Sequence, residues 1–360
     1  GHAVRLLDEI DVISAVSGGS FTAAYFGLHG DGIFNGFEND FLRRDISGHL
    51  LDGLLSPSLW FSSRGRTEMA INVYEDTLFK GATFADLKRR NGPLIIINAT
   101  DLARGVRFSF LQDYFDLLCS DLSSFPVSRA VAASSAVPVI FNPVVLKNHN
   151  CCRSSAKGML QKARHQAADS PQLLHVIDGL SSYAAKDRRR YIHLVDGGIT
   201  DNLGLLSFYE ITEVAGGSKK LLSQLGGKPA PYFIMISVNA STVPQYEMEA
   251  SNREPSMEDT INSVTDIPIH RTNAATLELV QRGIRRWTSE LEEENTPIES
   301  YFITIDFNSL PDPERKLFFN RIPTSFSLND EQVNQLLSAG RELLQVNPEF
   351  QRLINDLLAT

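Results

Sequence analysis

The chain has 360 residues, 42% hydrophobic and 21% charged, a globular balance that argues against a disordered or collagen-like protein. Its 34 Lys+Arg against 43 Asp+Glu leave a formal net charge of −9, which argues against nucleic acid as a partner. No apolar run approaches the ~20 residues that span a bilayer, and no N-terminal stretch reads as a signal peptide, so a soluble chain or one resting on a membrane surface is expected.

In chain order, residues 11–16 read as a buried strand and 19–28 as a helix of small and aromatic residues. Residues 93–98 form a second buried run, and 106–110 alternate as a half-buried strand does. Residues 127–136, rich in Ala and Ser, are helical until Pro138 stops them. Further buried runs follow at 191–195, 232–238 and 301–307, with long helices predicted over 272–294 and 330–345. Strands separated by helices predict an α/β fold, with a mostly parallel central sheet and helices on both faces, as one domain over 1–360. Two stretches break the rhythm. Residues 147–190 carry no strand signal, hold Cys151 and Cys152, and end in Lys186-Asp187-Arg188-Arg189-Arg190; they read as a surface insertion within the domain. Residues 241–260 are polar, with Pro244 and Pro255, and read as a second loop.

The sharpest local feature is Ala15-Val16-Ser17-Gly18-Gly19-Ser20, between a buried strand and a helix. A serine on such a tight turn projects its hydroxyl above the sheet, within reach of a substrate. The small residues let strand and helix backbones approach, and the helix beginning near Gly18 aims its unpaired N–H groups and positive dipole end at the same point. A tetrahedral oxyanion would be stabilised there. Ala15 stands where the usual G-x-S-x-G has its first glycine, and the competing reading is a glycine-rich turn without chemistry.

A second feature is Asp196-Gly197-Gly198, at the C-terminal end of a buried run, where open α/β sheets place their ligand sites. A carboxylate there can take the proton from a serine hydroxyl, and Gly197 and Gly198 permit the sharp exit and leave space beside it. By itself this aspartate reads first as a cap of a turn or of the next helix.

Together the motifs resemble the patatin-like phospholipase family. The match runs through Asp11-Val12-Ile13-Ser14-Ala15-Val16-Ser17-Gly18-Gly19-Ser20, Asn98-Ala99-Thr100-Asp101, Ala130-Val131-Ala132-Ala133-Ser134-Ser135-Ala136-Val137-Pro138 and Asp196-Gly197-Gly198 with Asp201-Asn202. These occur in the family's order and cover about residues 5–210. The resemblance implies a patatin-like fold and a Ser–Asp dyad, Ser17 as nucleophile and Asp196 as its partner, with Gly18, Gly19, Gly197 and Gly198 shaping the oxyanion side. It implies hydrolysis of acyl esters of lipids, with a lipid or ester substrate, peripheral membrane contact, no cofactor and no metal. The family's glycine-rich loop upstream of the nucleophile strand has no counterpart in residues 1–10, whose one glycine is Gly1. An incomplete oxyanion hole, an exposed edge on the nucleophile strand, weak activity and a tendency to associate are therefore expected, and a catalytically silent lipid-binding or scaffold protein is the alternative.

The order Ser17…Asp196…His270 would also suit an α/β-hydrolase triad. His270, however, falls at a predicted helix start after Pro268 with no glycine-rich loop around it, and His193 should face away from Asp196 by strand alternation. The three cysteines, Cys119, Cys151 and Cys152, are too few for a disulfide framework, lack zinc-ligand spacing and leave the compartment open. Leu54, Leu55, Leu59, Trp60 and Phe61 could touch lipid, or pack under a loop. Oligomeric state has no sequence signature here.

Overall fold

A computed structural model of the chain describes residues 5–45, 65–88, 92–138, 140–150, 156–242, 252, 254, 256–292 and 297–359. The apolar cluster around Trp60 and the adjacent Cys151 and Cys152 lie outside the described residues. The chain forms two compact units, Gly1–Gly216 and Gly217–Thr360.

The first unit is built on a five-stranded sheet of β1 (Val12–Val16), β2 (Leu94–Asp101), β3 (Val106–Ser109), β4 (Val144–Lys147) and β5 (Tyr191–Val195), in the order β1-β2-β5-β4 with β3 paired to β2. The α/β architecture is as expected, but the sheet is mixed. β1 and β2 run parallel, with Val16 opposite Asn98, whereas β2–β3, β2–β5 and β4–β5 are antiparallel. For β2–β3 the reason lies in the connection. A parallel partner needs a crossover of a dozen residues or more, and between Asp101 and Val106 there is room only for a tight turn, with Gly105 at φ 61°. Among the described residues β1 pairs with β2 alone.

β3 is buried along its whole length instead of half-buried. Phe108 packs against Phe110, Tyr114 and Tyr183. Arg107, which created the apparent alternation, is also inside, its guanidinium 2.7 Å from the Glu210 carboxylate. The stretch 147–190, read from the sequence as a surface insertion, has regular structure among its described residues. It carries the helices Ala156–Gln166 and Pro171–Ser181, the second capped by Ser170 accepting the Leu173 N–H. Leu160, Ala163, Val176, Ile177 and Leu180 are buried, and Gly179 sits so close to Val106 that an added Cβ would lie 2.6 Å from it. Two cations of the terminal charged run turn inward, Arg189 to Asp101 and Lys186 to the Leu117 carbonyl. Cys119, at φ 57°, is disulfide-bonded, so the cysteines supply one covalent link without building a framework.

In the second unit β6 (Tyr232–Asn239) and β7 (Glu299–Asp306) pair in parallel over their full length. Tyr301, Ile303 and Ile305 of β7 share a core with Phe319, Ala339, Leu343 and Leu353 from the helices Pro313–Asn320, Asp330–Val346 and Pro348–Ala359. The Asp330–Val346 helix starts with a capping box between Asn329 and Gln332. Met257–Leu291 is one continuous helix with Pro268 inside it, so the predicted start near residue 272 falls in its interior. Among the described residues no helix is long and apolar enough to cross a membrane.

Candidate active site

β1 ends at Val16, the helix Gly18–His29 begins at Gly18, and Ser17 alone makes the turn. Its φ of 50° and ψ of −125° lie in a region that costs a side-chain-bearing residue of order 1–3 kcal/mol. Surrounding bonds hold it there. The Ser20 N–H donates to the Ser17 carbonyl at 3.0 Å, and the Ser17 N–H donates to Ser134 Oγ at 2.9 Å. By helix geometry the first N–H groups, those of Gly18 and Gly19 among them, have no acceptor within the helix. Both glycines are exposed, and nothing stands within 4 Å of where a Cβ would be. That is open space beside the serine for a substrate.

Asp196 leaves the end of β5 and meets this turn. Ser17 Oγ donates to Asp196 Oδ2 at 2.7 Å, while the Gly198 N–H donates to Oδ1 at 2.7 Å. The carboxylate is buried, and burial pushes its pKa up to about 6 against the lowering effect of these two bonds. Its backbone is pinned as well. The N–H groups of Asp196 and Gly197 donate to the carbonyls of Ala136 and Ser134, at 2.9 and 3.1 Å. Gly197 is required here for a specific reason: a Cβ would fall 2.4 Å from the Asn98 carbonyl oxygen. The structure thus brings Ser17, Gly18, Gly19, Asp196, Gly197 and Gly198 to one place.

Beneath the turn lies a set of polar residues to which sequence reading assigned no role. Asn98 Nδ2 donates to Ser14 Oγ at 2.9 Å and to the Ala15 carbonyl at 3.2 Å, tying β2 to β1. Ser14 Oγ in turn donates to the Gly204 carbonyl at 2.6 Å and meets Ser207 Oγ at 2.7 Å. Asn98 Oδ1 accepts from Ser109, which bonds Arg107. The available signal was the presence of Ser, Asn and Arg inside otherwise buried strands, since buried polar groups need partners.

No histidine takes part in the Ser17–Asp196 bond. His193 is exposed on β5 while its neighbours Ile192 and Leu194 are buried. His270 lies in the second unit, inside the helix Met257–Leu291 rather than at its start. Among the described residues no three His, Cys, Asp or Glu side chains cluster as a metal site requires.

The family model described as patatin-like phospholipase matches residues 2–209, a span that holds every residue of the site. No curated protein matches the chain.

Proposed function

Since this chain belongs to the patatin-like phospholipase family, a family of lipid acyl hydrolases, we propose that it cleaves acyl esters of lipids through a Ser17–Asp196 dyad and an acyl-enzyme. Ser17 Oγ attacks the ester carbonyl carbon as its proton passes to Asp196 Oδ2. The oxyanion that forms points toward the N–H groups of Gly18 and Gly19 at the positive end of the helix, which stabilise it. Collapse breaks the bond to the alcohol, and Asp196 returns the proton to the departing oxygen. Water then attacks the acyl-serine, Asp196 again taking a proton, and the free acid leaves. A carboxyl with pKa about 6 is ionised at neutral pH yet basic enough to share a proton, as a general base must be. The substrate is an ester of the phospholipase A, lysophospholipase or lipase–esterase type, met by peripheral contact with a lipid surface.

The observation that carries this reading is the 2.7 Å bond from a serine on a strained strand-to-helix turn to a buried carboxylate. The test is burst kinetics with p-nitrophenyl butyrate, together with labelling by a fluorophosphonate probe. A stoichiometric burst and labelling that depends on Ser17 are expected. No burst and no labelling would overturn the hydrolase reading in favour of a silent lipid-binding protein.

A further inference from the structure

The hydroxyl of Ser134 is fully used. It is completely buried, at the end of the helix Val127–Ser134, and a hydroxyl can donate once and accept twice. Here it donates to the Asn98 carbonyl at 2.6 Å, accepts the Ser17 N–H at 2.9 Å, and meets Ser20 Oγ at 2.7 Å. Because its one proton goes to Asn98, Ser20 is the donor in that last contact. The carbonyl of the same residue accepts the Gly197 N–H at 3.1 Å, next to Asp196. One residue therefore grips the nucleophile turn with its side chain and the carboxylate turn with its backbone. Its third partner, the Asn98 carbonyl, is the atom against which Gly197 packs.

We propose that Ser134 is a positioning residue that sets the Ser17–Asp196 geometry and decides which backbone N–H groups can serve the oxyanion, an inference that rests on the dyad reading above. The strained Ser17 torsions persist only because neighbours over-determine them. The Ser134 bond to the Ser17 N–H is the side-chain contact that does so. By occupying that N–H, Ser134 also removes it from the oxyanion set and leaves Gly18 and Gly19 as donors. Without the hydroxyl, the Ser17 N–H, the Ser20 hydroxyl and the Asn98 carbonyl would each lose a buried partner. The turn would then relax toward ordinary torsions and carry Ser17 Oγ away from Asp196. A misplacement of about 1 Å costs on the order of 10²-fold in rate.

The experiment compares Ser134→Ala with Ser134→Thr, which keeps the oxygen, and with Ser135→Ala. Ser135 is also buried, but its hydroxyl bonds the Val131 carbonyl of its own helix and the Tyr74 side chain, neither of which belongs to the dyad. Two readouts are taken. One is the acylation rate of p-nitrophenyl butyrate, with kcat and KM separated. The other is hydrogen exchange of the peptide spanning residues 12–21. We expect Ser134→Ala to lower acylation by ~10–100-fold at nearly constant KM and to speed exchange at the turn. Ser134→Thr should recover both, and Ser135→Ala should change neither per folded molecule. Ser134→Ala acting like Ser135→Ala in both readouts would overturn the proposal, and so would fast exchange with an unchanged acylation rate. If the parent shows no acylation at all, the dyad reading fails separately, while exchange still reports whether Ser134 holds the turn.

Discussion

Two buried carboxylates on neighbouring stretches of chain make an instructive pair. Asp196 and Asp201 are both buried, and in both burial pushes the pKa up to about 6. Their surroundings differ. Asp196 accepts from a serine hydroxyl that opens onto space beside Gly18 and Gly19. Asp201 is enclosed with Arg107 and Glu210, accepts the Ser207 N–H, and keeps one oxygen without a partner. A raised pKa therefore does not single out a reacting group. What sets Asp196 apart is its contact with a serine hydroxyl beside an open side, which the proposed dyad uses, whereas the charge cluster around Arg107 reads as a support for the strands that carry the site.

The largest expected effect sharpens that distinction. Ser17→Ala should abolish fluorophosphonate labelling, and Asp196→Asn should lower kcat by ~10²–10⁴ while circular dichroism stays native; labelling that persists in Ser17→Ala would assign the nucleophile elsewhere. Disrupting the other cluster should do the reverse. Arg107→Met leaves the Glu210 charge buried without its partner, and chemical denaturation should show a loss of about 3–5 kcal/mol, with the surviving folded protein acylating at nearly the parent rate. A stable Arg107→Met protein with impaired kcat would erase the contrast.

Titration separates the two carboxylates next. The proposed dyad needs ionised Asp196 for acylation, so kcat/KM should rise tenfold per pH unit below about pH 6 and level off above it. Asp201→Asn should leave that midpoint where it is; a displaced midpoint would mean that Asp201 titrates with the reaction. Stability runs the other way. The folded-state pKa of Asp196 lies above its ordinary value of 3.8, so the folded protein holds the proton more tightly than the unfolded chain. Stability then falls as pH rises from about 4 to about 6, and the penalty is complete above that window. Asp196→Asn should accordingly raise the melting temperature at pH 8 by an amount worth up to ~3 kcal/mol, a gain that disappears near pH 4. The smallest effect belongs to His270→Ala, which should hydrolyse esters within a few-fold of the parent; a loss on the order of 10³ would restore the triad.

What could be read from the sequence was local. Ser17 between a buried run and a helix, with glycines behind it, defines its own turn, because strand, turn and helix are contiguous and the torsions allow little else. Asp196 at the end of the run 191–195 is legible for the same reason, and so is the span of the helix Asp330–Val346, expected over 330–345. Pairing was not local. The gap between Asp101 and Val106 already demanded a turn, yet that β5 also runs antiparallel to β2, through Thr100 and Val195, depends on where a distant segment returns.

Burial of charge was equally hidden. The Val106-Arg107-Phe108-Ser109 pattern alternates as an amphipathic strand would, and only the arrival of Glu210 from a later helix lets Arg107 go inside. The helices of 147–190 likewise show their buried side only once β3 and its neighbours are there to cover. So the sequence by itself determined the chemical groups: a serine on a strand-to-helix turn, a carboxylate at a strand end and the glycines beside them. The tertiary structure decided how that chemistry is set, through the 2.7 Å contact, the desolvation that lifts the Asp196 pKa, and the three bonds of Ser134. Each of these depends on groups far apart in the chain meeting out of water, where a hydrogen bond or a charge counts for more than it does in solution.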